Sequence, residues 1–543
     1  MKKLFFIFLG VMMIPNVLLV LSEHQYLWTA ACNLLLPLGL YWLAASSSTK
    51  IGRSVWLMFP FIFMAAFQIV LTRLFAQSII GVDMFLNVVT TNMAEINELL
   101  GNLVPAVSIV FILYMPMLVV AFVAIRRRRR LSASFVNIQR RLAVGCIGLG
   151  TLSGIVAYNS QKPMRLQNDI FPINVTYNFC LAVERYWKTS HYEQTSENFT
   201  FDASRQESQL SSHTPKTVVL VIGETARAAN FGILGYNRNT TPKLSGTKGV
   251  IAFPKAYSES NTTHKSVPML LSAVSAVDFD SIYRQRSIIT AFREAGFRTA
   301  FFSNQLPNGS FIEFFGKEAD VCKYIKTGSQ AGEEVLDGQL VDYARREFTA
   351  TDQPLFLVLH CYGSHFNYRK RYPRSFARFL PDDAMDAKRK NRQELVNAYD
   401  NTIVYTDHIL SELVAALNET GREVVLLYTS DHGEDIYDDG VHFLHASMVP
   451  TDNQLHVPLL VWTSDAYAES HKPEVEALRA NSRKLLSTSL STFHTLLQLS
   501  DITTPYFIKK RSLADSQYSI PRLYFINDRN EALMLTQGVD IKN

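Results

Sequence analysis

The sequence predicts two architectures in one chain: an N-terminal five-helix transmembrane module, then an α/β domain with a mostly parallel central sheet of the kind that carries strand-end active sites. Three observations predict it. Of 543 residues, 48% are hydrophobic and 19% charged, and mean hydropathy is +0.05. That is too apolar for an ordinary soluble enzyme and too polar for a pure transporter. Long apolar stretches crowd the chain before about residue 158, and later apolar runs shrink to strand length, with Asp, Glu and His clustered at their ends.

The spans come first. Residues 4–21, 27–45, 54–74, 103–125 and 142–158 each approach the ~20 apolar residues that cross a bilayer. Lys2 and Lys3 precede the first; Lys50 and Arg53 lie between the second and third; Arg126 to Arg130, Arg140 and Arg141 lie between the fourth and fifth. The intervening loops are poor in Lys and Arg. The positive-inside rule therefore predicts a cytoplasmic N-terminus and an extracytoplasmic chain after span five. The Arg run is read as a topology determinant, with lipid-headgroup recognition as the alternative. Much of the net charge of +5 sits in that run, so no nucleic-acid partner is expected. Five cysteines do not make a disulfide scaffold; Cys32 and Cys146 fall inside spans, leaving at most one disulfide outside.

The predicted organisation is a membrane module over 1–158 with an interfacial helix near 83–100, a polar connector over 159–213, and a soluble domain over 214–543. In the last, the runs Val218–Ile222, Thr299–Phe302, Leu355–Leu359, Val424–Tyr428 and Val457–Trp462 read as strands buried on both faces. Residues 391–418 and 484–499 read as helices between them. Ligands of such a sheet gather beyond the carboxyl ends of its strands. There stand Gly223-Glu224-Thr225-Ala226-Arg227, His360 to His365, and Ser430-Asp431-His432-Gly433-Glu434, with His442 and His445 close behind.

Asp, His and Glu ending neighbouring strands make a mixed oxygen and nitrogen donor set suited to zinc or manganese. A hydroxyl beside such a metal becomes a nucleophile, and nearby histidines can hold phosphoryl oxygens or protonate a leaving alkoxide. The residues thus point to metal-assisted phosphoryl or sulfuryl transfer at a membrane surface. They leave Ser258, Ser260, Thr262 and Thr263 open as the hydroxyl.

Val221 to Arg227, Tyr236 to Pro242, Ser258 to Pro268, Gly363-Ser364-His365, Arg371-Tyr372-Pro373, Tyr399 to Thr402 and Ser430 to Glu434 together resemble the phosphoethanolamine transferase family. These are alkaline-phosphatase-like, sulfatase-like membrane enzymes that decorate lipid A and related envelope glycans. The resemblance implies Zn2+ held by Glu224, Thr263, Asp431 and His432, with Thr263 as the nucleophile and Thr262 its nearest rival. It implies that His365 and His445 hold the transferred group, His442 remaining an alternative to His445. In the membrane half, Asn87, Thr91 and Glu95 repeat every four residues and would share one helical stripe, as an amphipathic helix resting in the interface also would; the resemblance assigns them to the ethanolamine headgroup or a bound lipid.

The implied activity is transfer of phosphoethanolamine from phosphatidylethanolamine to lipid A or lipopolysaccharide core, at the bacterial inner membrane with a periplasmic catalytic domain. Diacylglycerol is released through a phosphothreonine intermediate. Alternative acceptors are a periplasmic glucan or protein. The alternative reactions are a lipoteichoic-acid-synthase-like phosphoglycerol transfer using manganese, or a sensor with a dead site. The Cys/Ser-x-Pro-x-Arg nucleophile sequence of sulfatases is not seen around Thr263. Well-known lipid A-modifying members carry cysteines where this chain has Glu259 and Met269, so its nucleophile loop is expected to be held by packing instead.

Overall fold

The computed structural model describes residues 1–75, 79–90, 93–205, 215–328, 334–384, 387–447, 449–520 and 522–535, with the side chains of 71–75, 87–90 and 93–103 left out. The chain separates into two units, Met1–Arg185 and Tyr186–Asn543. The connector expected over 159–213 is thus divided between them.

In the first unit Lys2–Ser22, Leu27–Ala45, Val104–Arg126 and Ala133–Tyr158 are long and apolar enough to cross a membrane. Ile51–Leu57 and Phe59–Val70, bent by 59°, make a fifth span if taken together. Leu27–Ala45 and Ala133–Tyr158 pack backbone to backbone: a Cβ on Gly150 would stand 2.5 Å from Leu36 N. Small residues permit such approach where lipid supplies no hydrophobic drive. The Lys2 ammonium lies 5.3 Å from the Phe135 ring centroid, and Leu131 N donates to Thr49 O at 2.8 Å. The N-terminus and the loops after the second and fourth spans therefore share one end of the unit. Gln25 reaches Asp169 O at 3.0 Å, which places residues 25 and 169 together as well. Between these elements the Asn16 amide nitrogen donates to Asn33 Oδ1 and to Phe171 O, so that buried donor is not left unpaired.

The fifth span starts earlier than its apolar pattern indicated. Ser132 accepts from Phe135 N at 3.3 Å and caps a helix that begins at Ala133, so Arg140 and Arg141 are helical rather than loop residues. Arg140 extends its guanidinium to Ser46 O at 3.0 Å, keeping the charge at the helix end while its stem lies along the helix.

The second unit is built on eight strands: β1 Lys216–Gly223, β2 Val250–Tyr257, β3 Arg298–Ser303, β4 Val321–Tyr324, β5 Leu355–His360, β6 Glu423–Ser430, β7 His456–Thr463 and β8 Leu486–Ser487. Their order across the sheet is β8-β2-β7-β6-β1-β5-β3-β4. β7 runs antiparallel to both neighbours, and every other pair is parallel. All eight residues of β1 are buried. Val218, Leu220 and Ile222 point into one core with Phe292, Phe493 and Leu496, while Val219 and Val221 point into the other with Leu395, Leu410 and Leu417. Alternation at period two into two apolar layers is why the run is continuously hydrophobic. Full burial of each such side chain stabilises by roughly 1.5–3 kcal/mol. The expected helices are Arg392–Glu419 and Thr488–Leu499.

Register then places the chemistry. Gly223 on β1 is opposite Ser430 on β6, and Ile222 is opposite His360 on β5. The ladder runs one step further, with Asp431 N donating to Gly223 O at 3.0 Å and Cys361 N to Ile222 O at 2.9 Å. Glu224, Asp431 and Cys361 therefore leave the sheet at the same rim.

Candidate metal centre

At that rim Glu224, Asp431 and His432 each offer a ligand atom, and the three atoms lie within 4.8 Å of one another, all buried. His432 Nδ1 lies 2.9 Å from Gly433 O, so that nitrogen carries the proton and Nε2 presents its lone pair. Asp431 Oδ1 accepts from Thr225 N at 2.9 Å and from His432 N at 2.7 Å. Its other oxygen, Oδ2, is buried with no hydrogen-bond partner and lies 3.2 Å from His432 Nε2. A buried carboxylate oxygen facing a nitrogen lone pair is costly unless a cation sits between them. The donor set fits a divalent ion of borderline hardness.

The electrostatics agree. Burial, then the neighbouring charge of Asp431, raises the Glu224 carboxyl to about 7. Burial raises Asp431 to about 6 and lowers His432 to about 3. Two carboxylates that resist ionising side by side, next to an imidazole that resists protonation, form a site a cation would relieve.

The hydroxyl comes from the helix Thr263–Leu270, which follows β2 and begins at Thr263 itself. Thr263 Oγ1 lies 3.0 Å from Glu224 Oε1 and 3.1 Å from His432 Nε2. The rivals point elsewhere: Ser258 Oγ donates to Asp431 O and Ser260 O, and Ser260 and Thr262 hydroxyls face each other at 3.1 Å. Thr263 is partly exposed, so its hydroxyl can be reached from outside the sheet rim. Glu224 is steadied by Gln305, whose amide donates to Glu224 Oε2 at 3.0 Å and to Cys361 O at 3.1 Å. Gln305, two residues beyond β3, was not singled out from sequence; its position past a strand end was the available signal.

Two histidines stand over the centre. The His445 ring centroid is 4.3 Å from that of His432 and 6.2 Å from that of His365. Burial alone would lower His445, but the Glu434 carboxylate at 3.4 Å, with Glu224 and Asp431, raises it above the usual imidazole value. Tyr368 hydroxyl donates to the other oxygen of Glu434. His365 goes the opposite way: burial and the Arg371 guanidinium hold it well below the usual value. Arg371 donates to His365 O at 2.8 Å, and Tyr362 stacks on the His365 ring at 5.2 Å. His442 instead pairs with Asp439 on a half-exposed turn. Thr91, and the side chains of Asn87 and Glu95, lie outside the described residues; helix is described for Val82–Thr90 and Met93–Arg126.

The loop that carries Thr263 is held by more than packing. Met269 is fully buried in the core. Glu259 is buried too, accepting from Ala276 N at 2.7 Å and Ser487 Oγ at 2.9 Å, while its carbonyl accepts from Ile526 N at 2.7 Å. These hydrogen bonds tie the loop to two distant segments. All five cysteines are free.

Buried Asp, Glu and His at the end of a mostly parallel sheet, beside a helix-starting threonine, define an alkaline-phosphatase-like α/β domain. The chain belongs to the sulfatase family, whose profile matches residues 216–502. Among curated relatives it is similar to Kdo(2)-lipid A phosphoethanolamine 7''-transferase of Escherichia coli (strain K12), 32% identical over 262 residues, which are 47% of this chain and 45% of that protein. The chain spans about half the length of the first curated relatives it matches. Among solved structures it resembles the integral membrane lipooligosaccharide phosphoethanolamine transferase A of Neisseria meningitidis. There the TM-score is 0.72 at 22% identity, over 94% of this chain and 97% of that one. It also resembles the C-terminal periplasmic domain of EcEptC from Escherichia coli in complex with Zn, with TM-score 0.54 at 22% identity, over 60% of this chain and 94% of that one. These two likenesses establish the fold.

Proposed function

We propose that this chain is a phosphoethanolamine transferase of the inner membrane, moving phosphoethanolamine from phosphatidylethanolamine to lipid A or the lipopolysaccharide core in the periplasm. The observation that carries the reading is the Thr263 hydroxyl within hydrogen-bond distance of both Glu224 and His432. The name of the Escherichia coli relative supports the transferred group and the acceptor.

Glu224, Thr263, Asp431 and His432 would hold the zinc. Bound there, zinc supplies positive charge that lowers the pKa of an alcohol and offsets charge on a phosphoryl group. The Thr263 hydroxyl releases its proton to solvent, its oxygen attacks the lipid phosphorus, the bond from phosphorus to the diacylglycerol oxygen breaks, and the phosphoethanolamine ester of Thr263 forms. His445, whose proton affinity the Glu434 carboxylate raises, gives its proton to the departing diacylglycerol alkoxide. Neutral His365 gives its Nδ1 proton to Phe366 O at 2.7 Å, so its Nε2 lone pair is free to accept a hydrogen bond from the ethanolamine ammonium. The acceptor hydroxyl then gives its proton to His445, its oxygen attacks the same phosphorus, and the Thr263 oxygen leaves. Confinement of enzyme, donor and acceptor to one membrane raises their effective concentration.

Intact-protein mass spectrometry of the full chain in vesicles containing phosphatidylethanolamine tests this. A phosphoethanolamine adduct on Thr263, with diacylglycerol released, is expected for the wild type and neither for Thr263→Ala. An adduct elsewhere, or turnover of phosphatidylglycerol in preference, overturns the reading.

A further inference from the structure

The first unit carries a second site, unrelated to the metal centre. At the end where the N-terminus lies, Lys50, Arg53, Arg128, Arg129 and Arg130 wall a cavity of about 300 Å³. That is at the lower end of the usual range of small-ligand sites, about 300–1,000 Å³. Two loops far apart in sequence build it, joined by the Leu131 N to Thr49 O hydrogen bond at 2.8 Å. The Arg run does not simply trail off the helix that ends at Arg126. Arg128 takes a left-handed conformation with φ of 50°, and Arg129 N turns back to donate to Ala124 O at 3.0 Å. Holding a non-glycine residue there is unfavourable, and the result is that Arg128, Arg129 and Arg130 line one cavity with Lys50 and with Arg53 at the start of the helix Ile51–Leu57.

No acidic side chain is among the lining residues. Arg53, Arg128, Arg129 and Arg130 are exposed and Lys50 is half-buried, so their charged heads are open to a ligand. Five converging cations without a lining carboxylate repel one another, and an anion would relieve that repulsion. The floor is apolar, made by Ala124 and Ile125. Beside it Leu57, Phe122 and Val123 expose apolar surface on the flanks of the spans. A charged cup opening onto apolar flanks matches an amphiphile.

We propose that this cavity binds the phosphate headgroup of an anionic diacyl phospholipid, whose acyl chains lie along the exposed apolar flank. Arginines supply the planar, multidentate donors that phosphate oxygens accept. A topology determinant needs only the number of charges; it does not need them folded back around a cavity with a second loop.

The test is native mass spectrometry of the full chain in detergent, titrated with dioleoylphosphatidylglycerol or dioleoylphosphatidylcholine. The wild type should retain one phosphatidylglycerol in preference to phosphatidylcholine. Arg53→Gln with Arg129→Gln should weaken that retention by about 10–30-fold, taking each cation as worth about 1 kcal/mol. Arg126→Gln with Arg127→Gln removes the same charge outside the cavity and should leave it unchanged. Equal loss in both double variants, or equal retention of the two lipids by the wild type, overturns the proposal. So does displacement of the lipid by inorganic phosphate at matching concentration, which would make the site one for a free anion. The lipid comparison and the phosphate competition use only the wild type, so they decide the matter even if a variant fails to fold.

Discussion

Gly363 lies against Glu224 so closely that a Cβ would stand 2.5 Å from the Glu224 carbonyl oxygen and 2.7 Å from its nitrogen. Gly363 has φ of 48°, and Ser364 N donates to Glu224 O at 2.8 Å. One tight turn thus sets both the Glu224 carboxylate and His365, two residues on. Gly363→Ala should displace both without unfolding the sheet. We expect turnover of phosphatidylethanolamine to fall by about 10²-fold, the scale of an ångström misplacement. Far-ultraviolet circular dichroism should be unchanged; an active Gly363→Ala enzyme would remove this turn from the site's construction.

Asp431→Asn should abolish stoichiometric metal binding. The substitution removes one anionic ligand while keeping the side chain's shape, and it leaves the orphaned Oδ2 position without charge. Elemental analysis by inductively coupled plasma mass spectrometry should find about one zinc per wild-type chain and a small fraction of that in the variant. Chelation of the wild type should lower its thermal midpoint, because binding to the folded state alone stabilises it. Full zinc occupancy in Asp431→Asn would contradict the ligand assignment.

Glu434 and His445 should behave as one unit. His445→Ala removes the proposed proton donor, for which losses of about 10²–10⁴-fold in kcat are usual. Glu434→Gln keeps the hydrogen bond and removes the charge that holds the imidazole protonated. Its activity should therefore fall with rising pH from a lower pH than in the wild type, and approach the wild-type rate in acid. The pH profile of kcat reads this directly; a parallel loss at every pH would assign Glu434 a purely structural part.

Glu259 should make stability depend on pH in the direction opposite to a salt-bridged carboxylate. Burial raises it to about 7, against 4.5 for the unperturbed group, with the bonds from Ala276 N and Ser487 Oγ and the charge of Arg511 opposing the rise. The folded chain therefore holds a proton that the unfolded chain gives up between about pH 4.5 and 7. This contribution to stability is fully present below 4.5 and is lost as pH rises through 7. Glu259→Gln cannot ionise, and its oxygen can face Ala276 N while its amide nitrogen faces the Ser487 hydroxyl. Relative to the wild type it should gain stability from pH 5 to 8, on the order of 3 kcal/mol at most. Urea unfolding across that range checks the sign; a constant difference would show that Glu259 does not titrate there.

Much of the fold was legible because its strands are continuous Val, Leu, Ile and Phe runs buried on both faces, a pattern little else produces. The edge strands Val321–Tyr324 and Leu486–Ser487 were not, being short and, in the first case, half exposed with Cys322 and Lys323. Arg140 and Arg141 looked like loop residues because hydropathy scores the charge, while the helix start is set by the Ser132 cap. The second unit's cluster of Glu224, Asp431 and His432 followed from polar residues at strand ends, since a parallel sheet delivers such ends to one rim. Gln305 escaped because a neutral amide carries no signature of its own.

From the amino acids alone came the division into membrane and globular parts, the strands, and the cluster of Glu224, Asp431 and His432, because hydrophobic period and side-chain chemistry are local properties. Side-chain chemistry left four neighbouring hydroxyls and two histidines open, and family resemblance named Thr263 and His445; that these two meet the cluster in space, and that Glu259 braces the loop where a disulfide was lacking, was decided by tertiary structure. Each depends on where groups tens or hundreds of residues apart meet in space, and that is set by register, caps and close packing of the whole chain.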